Sequence, residues 1–366
     1  MKNCRGQCYD GAANMAGVRT GVATQLLAVE RRALYTHCYG HSLNLACQDT
    51  IRKIKVIRNA FDMTFELSKL KYSLKRNATY KRIKDELSPG KPGFRTLCPT
   101  RWTVKSDSLA SVEANYSVLQ NNLEEFSQMA RRDFEASAKV NGVATEMTKF
   151  DFLFGVMLGS RILRLVDNLS CTLQKKELSA AEGQVTANVT IKVISALRTD
   201  EEFDIFWQNV VKKSETVDVS EPMMPRKREA LNRYEAGIGE GSHPESPKDL
   251  YRITYYTTID GILSSIRDRF DQPGYKIYAH LQNLLTKTAS ADDYSEDMEV
   301  VVRLYEGDIE PARLKSQLEI LTAEFQSQQV SEEGTVNKLP VTFGQVKDHL
   351  ISLGHGRELL SEVVTI

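Results

Sequence analysis

The stretch Leu109-Ala-Ser-Val-Glu-Ala-Asn-Tyr-Ser-Val-Leu-Gln-Asn-Asn-Leu-Glu-Glu-Phe126 decides how most of this chain is read. Its apolar residues Leu109, Val112, Tyr116, Leu119, Leu123 and Phe126 recur in alternating three- and four-residue steps, the spacing that lines one face of an α-helix and packs it on another helix. Toward the C-terminus the same period returns. Residues 150–173 are apolar nearly all round at their start and read as a buried helix. Thr199, with Glu202 three residues on, fits a capping box ahead of Phe203, Phe206, Trp207 and Val210. Ile259, Ile262, Ile266 and Phe270 open a second helical group. Between the groups, residues 214–248 mix Gly, Ser, Pro and charge and are expected to form a mobile loop.

Toward the N-terminus the pattern changes. Asp10-Gly-Ala-Ala-Asn14 is turn chemistry, and Val18 to Glu30 has helix composition with Val22, Leu26 and Val29 on one side. Ala33 to Tyr39 reads as a strand, followed by a helix from about His41 with Leu43, Leu45 and Ala46. A long basic helix is expected from Ile51 to Leu87, carrying Ile54, Ile57, Phe61 and Phe65 at helical spacing, and Ser88-Pro-Gly-Lys-Pro-Gly93 stops it. The expected fold class is mostly α: a short α/β segment followed by a large all-helical region.

The 366 residues are 41% apolar and 26% charged. That is ordinary globular usage, which excludes wholesale disorder and suffices for a sizeable core. No run of about 18 uncharged apolar residues occurs, and the first residues lack the apolar stretch of a secretory signal, so a soluble intracellular protein is expected. Six cysteines (Cys4, Cys8, Cys38, Cys47, Cys98, Cys171) are too few for a disulfide scaffold. Basic and acidic residues number 48 each, a balance that conceals an asymmetry. Residues 1–105 hold 20 Lys and Arg against seven Asp and Glu, a net of +13, and the remainder is net −13. The basic part is a candidate polyanion footprint; the alternative is that the two parts neutralise each other in the fold.

Three local groups carry candidate chemistry. Tyr9-Asp10-Gly11-Ala12-Ala13-Asn14-Met15 places a carboxylate at a strand end before a small-residue turn, where it can hold a divalent cation or serve only as a turn residue. Cys38-x-x-His41, with Cys4-x-x-x-Cys8 upstream, has the ligand count for zinc; the competing reading is a buried thiol and a helix-start hydrogen bond from His41. In Cys98-Pro-Thr-Arg101-Trp102-Thr-Val-Lys105, Arg101 can meet phosphate while Trp102 stacks on an unpaired base. Equally, the Trp can plug the start of the helical region.

In this order, Cys4-Arg-Gly-Gln-Cys-Tyr-Asp-Gly-Ala-Ala-Asn-Met-Ala-Gly17, Ala33-Leu-Tyr-Thr-His-Cys-Tyr-Gly-His-Ser-Leu-Asn-Leu45 and Thr100-Arg-Trp102 resemble the transposases of the hAT superfamily. Within it they resemble the animal transposase-derived proteins named zinc-finger MYM-type protein 1-like. The helical continuation is similar too, through residues 150–174, 225–228 and 259–270. The resemblance implies a ribonuclease H-like catalytic core interrupted by a large all-helical insertion. Residues 1–105 would be a partial, basic core, 106–335 the insertion with the 214–248 loop, and 336–366 the start of the return to the core. It also implies three acids holding two Mg²⁺ ions for DNA cleavage and strand transfer. Asp10 then corresponds to the second acid, and Cys38 and His41 lie on a structural Cys-x-x-His element. Arg101 and Trp102 match a pair that grips a flipped base, with Lys105 beside them on the DNA-binding side.

The departures from the family are as informative. Its first acid, on a strand ahead of residue 4, and its third, a Glu in a Ser-Glu-Arg-type motif after the insertion, have no counterpart in the 366 residues. Glu358 and Glu362 do not fit that motif. Counterparts of the family's C-terminal dimerisation region and N-terminal zinc-binding module are not expected within these 366 residues. One acid does not assemble a two-metal site, whose ions sit about 4 Å apart and share carboxylates. The chain by itself is therefore expected to be inactive as a nuclease, with Asp10 vestigial and no cofactor of its own, although the family uses Mg²⁺. Two functions follow as expectations. The first is a domesticated or remnant nuclear protein that keeps DNA as a partner and has no membrane partner. The second is a scaffold for other proteins or for self-association through the acidic helical part and its Leu109–Phe126 seam, and a fragment of an active transposase is a further alternative.

Overall fold

The structure is a computed structural model that describes residues 4–71, 74–97, 105–130, 133–174, 180–224, 244–271, 273–329, 341–354 and 358–365. Among them, helix dominates, as expected. In chain order the elements begin β1 (Gly6–Tyr9), α1 (Ala13–Ala16), α2 (Val22–Val29), β2 (Leu34–His37), α3 (Tyr39–Lys53), α4 (Lys55–Lys71) and α5 (Leu74–Leu87). They continue α6 (Lys105–Ala114), α7 (Tyr116–Met129), α8 (Phe134–Met147), α9 (Phe150–Leu173), α10 (Ala180–Ala196) and α11 (Asp200–Ser214). The last are α12 (Pro247–Phe270), α13 (Pro273–Ser290), α14 (Ser295–Leu304), α15 (Pro311–Gln329), α16 (Phe343–Ser352) and α17 (Ser361–Thr365). No helix of the described residues is long and apolar enough to cross a membrane.

The chain divides into two compact units, one of residues 1–43, 172–189 and 267–366, the other of residues 44–171 and 190–266. This division differs from the expected segments 1–105, 106–335 and 336–366: most of the basic segment, residues 44–105, is grouped with helices of the expected insertion. Residues 225–243 of the expected loop lie outside the described residues.

In the first unit, β1 and β2 pair in parallel, with Gly6 opposite Leu34 and Tyr9 opposite His37. Parallel neighbours need a crossover connection, and α1 and α2 lie on it. Gln7, buried in β1, ties this unit together by donating from Nε2 to the carbonyls of Ala23 at 3.1 Å and Ala33 at 2.8 Å. Tyr39, at the start of α3, stacks on Tyr275 at 4.0 Å and on Phe270 at 5.3 Å between ring centroids. Helices α13 to α17 enclose their own core, with Leu284, Val301, Leu314, Leu318, Leu321, Val346 and Leu360 fully buried. A capping box at Thr342 and Gln345 starts α16.

In the second unit all six residues of the Leu109–Phe126 seam are buried, so the seam is used in intramolecular packing and is not a free self-association face. It is also two helices rather than one. Asn115 interrupts it at φ −109°, where its Nδ2 donates to the carbonyls of Ser111 at 2.8 Å and Pro92 at 3.2 Å. A side chain that bonds nearby carbonyls competes with helix continuation. The single helix expected over Ile51–Leu87 is likewise replaced by the end of α3, then α4 and α5. Its first break falls at buried Ile54, amid β-branched Ile51, Val56 and Ile57, whose restricted side-chain rotation lowers helix propensity.

Helix α9 has the bounds expected of the buried helix. Gly155 allows it to lie against α4, because a Cβ there would sit 2.6 Å from the Val56 carbonyl oxygen. Around it Phe150, Phe154, Phe203, Phe206, Trp207, Tyr251 and Tyr255 form a continuous aromatic cluster, in edge-on and tilted arrangements that suit ring quadrupoles. Half of the expected capping box is present. The Thr199 hydroxyl accepts from the Glu202 amide at 3.2 Å, while the Glu202 carboxylate pairs with Arg161.

Candidate functional site at the strand ends

Parallel pairing brings the carboxyl ends of β1 and β2 together, and three of the expected site residues stand there or just beyond. Asp10 follows β1 directly and is exposed, and its Oδ1 accepts from the Ala12 amide at 3.1 Å. The turn-residue role is therefore filled by one carboxylate oxygen. Gly11 adopts φ +80°, in the left-handed region that favours glycine, and a Cβ there would overlap the His37 ring.

Cys38 follows β2. Its amide donates to the Tyr9 carbonyl at 3.0 Å, and its carbonyl accepts from Ser42 at 2.9 Å, which starts α3. The expected buried thiol is corrected here: Cys38 is exposed, since the strand has ended at His37 and the residue forms the lip of the helix. His41 stands in the first turn of α3, and its ring lies against that of His37, 5.3 Å between centroids.

His37 is the residue that the sequence reading passed over. Its Nε2 lies 2.8 Å from the Asp10 main-chain oxygen. A carbonyl only accepts, so Nε2 carries the proton. Burial holds the imidazole below its usual range, with His41 and Arg269 adding to the effect and the Asp10 carbonyl opposing it.

Arg101 and Trp102 lie outside the described residues. Lys105 is described: it opens α6 in the other unit and is half-buried. Burial is the main cause that pulls its ammonium below the usual lysine range, with the nearby Arg52 adding to it and Cys47 and Asp167 opposing. Asp167, itself raised by burial, accepts from the Ser106 hydroxyl next door.

The donor set at the strand ends does not fit a pair of Mg²⁺ ions. One carboxylate is present, one of its oxygens is engaged by Ala12, and the adjacent imidazole nitrogen carries a proton and donates. Nor do Cys4, Cys8, Cys38 and His41 converge for zinc: among the described residues no group of three or more His, Cys, Asp or Glu side chains is placed to hold a metal ion. What the arrangement offers is a strand end with an exposed carboxylate and thiol, Asp10 and Cys38, beside the half-buried imidazoles of His37 and His41. The chain matches no known family model, and no solved structure matches it.

Proposed function

We propose that this chain is a hAT transposase-type DNA-handling protein, nuclear, with a ribonuclease H-like fragment around Asp10 and a helical insertion. It binds DNA through its basic N-terminal third and does not cleave DNA by itself. The observation that carries the reading is the position of Asp10 at the carboxyl end of β1, beside a parallel neighbour that delivers Cys38 and His41. In open α/β sheets ligands collect at the carboxyl ends of strands, and the order of the motifs is that of the resembled family. Exposed Lys53, Lys55, Lys75 and Lys81 on α3, α4 and α5 support a phosphate-binding role for the same third of the chain.

The test is a gel-shift titration of the full chain against duplex and hairpin DNA at low salt, with Mg²⁺ added in parallel reactions. Binding without strand cleavage is expected, and Asp10→Ala is expected to bind as the unaltered chain does. Absence of binding overturns the reading. A Mg²⁺-dependent cleavage that Asp10→Ala abolishes overturns its catalytic half.

A further inference from the structure

The second compact unit holds an open groove of about 1040 Å³. Its two long sides are α9, from Met157 to Asn168, and α11, from Ile205 to Lys213, with α6, Val193 of α10, Leu197 and, past the end of α11, Thr216 completing the lining. Eleven steps along α9 rise about 16 Å, about three turns, and the eight steps along α11 rise about 12 Å, a little over two turns.

The lining is mainly apolar and part of it stands in water: Val193 is 45% exposed and Ile205 53%. The same lining carries four cations, Arg161 and Arg164 on α9 and Lys212 and Lys213 on α11, against one carboxylate, Glu113, among the described lining residues. Arg161 is engaged with Glu202 and lies over the Phe206 ring at 5.7 Å. Arg164 and Lys212 are exposed, and Lys213 and Glu113 are half-buried. Glu113 is held near Lys213 and Arg164, and burial raises its carboxyl above the usual range. A net positive groove thus lies in the part of the sequence, residues 106–366, that is net −13.

From the exposed aliphatic lining, the two- to three-turn length and the four lining cations, we propose that the groove docks an amphipathic helix of a partner protein, one with apolar anchors flanked by Asp and Glu. Helix-in-groove recognition places anchors at i, i+3 or i+4, and i+7, which spans the length available. Flanking carboxylates would meet Arg164, Lys212 and Lys213 and set the orientation. Nucleic acid fits less well, because base stacking needs an exposed ring and the lining aromatic, Phe206, is buried. The proposal stands apart from the DNA-handling reading, and the two are tested with different probes.

The experiment is fluorescence anisotropy of the full chain with a labelled helical peptide about three turns long, Leu on one face and Glu on the other. The comparison probes are the same peptide with Lys in place of Glu and a single-stranded oligonucleotide. Saturable binding of the acidic peptide is expected. Lys212→Glu together with Lys213→Glu should weaken it about tenfold or more, and Glu113→Gln should tighten it about two- to fivefold. Val193→Asp, at an exposed apolar lining position, should weaken it independently of the cations. Thermal melts of each variant establish that the fold is kept. Failure of the acidic peptide to saturate overturns the proposal, as does an affinity unchanged by both the charge reversal and Val193→Asp. An equal affinity for the Lys peptide, or oligonucleotide binding lost on charge reversal while peptide binding is kept, also overturns it.

Discussion

His37 donates its Nε2 proton to the main-chain carbonyl of Asp10 at 2.8 Å, which joins the ends of the two parallel strands across 27 residues of sequence. The bond selects the tautomer of His37 and fixes the direction in which the chain leaves β1. It leaves the Asp10 carboxylate to brace its own turn through Ala12.

Stability should depend on this imidazole. Its folded-state pKa is depressed, chiefly by burial, so the folded state binds its proton less readily than the unfolded chain does. Its contribution is fully present above the unfolded imidazole pKa, roughly 6.5, and is lost as pH falls from there through the lower folded value. Urea unfolding at steps from neutral to mildly acid pH should show this decline. His37→Gln, whose amide can make the same donation without titrating, should flatten it.

The turn at Gly11 should tolerate substitution worse than a comparable turn elsewhere. Gly11 and Gly90 both have positive φ, at +80° and +73°, but a Cβ at Gly90 meets open space. Gly90→Ala should cost the conformational penalty alone, about 1 kcal/mol. Gly11→Ala adds a clash with the His37 ring and should cost about 2–3 kcal/mol. Paired denaturation curves measure the difference, and equal costs would remove the special role of the Gly11–His37 contact.

Asp297 is a buried, strongly committed carboxylate of the first unit. It is 2% exposed and is met by His280 Nδ1 at 2.7 Å and Lys287 Nζ at 2.6 Å. Asp297 is buried while Lys287 and His280 reach water, so Asp297→Asn leaves no buried unpaired charge and should destabilise by about 1–2 kcal/mol through the weakened hydrogen bonds. The midpoint of urea unfolding reads it directly.

The helical region was largely legible because its apolar period survives burial: the Leu109–Phe126 face is buried throughout, and α9 spans Phe150–Leu173 as read. The breaks were not. Asn115 stops one helix and starts the next partly through the Pro92 carbonyl, 23 residues away, a bond that no local window contains. The Asp10–Gly11 turn announced itself through its own residue chemistry. His37 did not, since a histidine inside a strand-like segment looks like any other strand residue until its partner is known. The groove was invisible for the same reason: Arg161 and Arg164 are about 50 residues from Lys212 and Lys213 in sequence and are gathered only by the packing of α9 and α11.

The claim at the centre of this account is that the basic N-terminal third grips phosphate. Equilibrium binding of the full chain to a labelled DNA duplex, measured across a salt series, tests it most directly. Several phosphate contacts should make log K fall linearly with log salt, with a slope of about −3 to −5, and reversing exposed Lys75 and Lys81 should make that slope shallower. No binding at low salt, or an affinity indifferent to salt, would contradict the account.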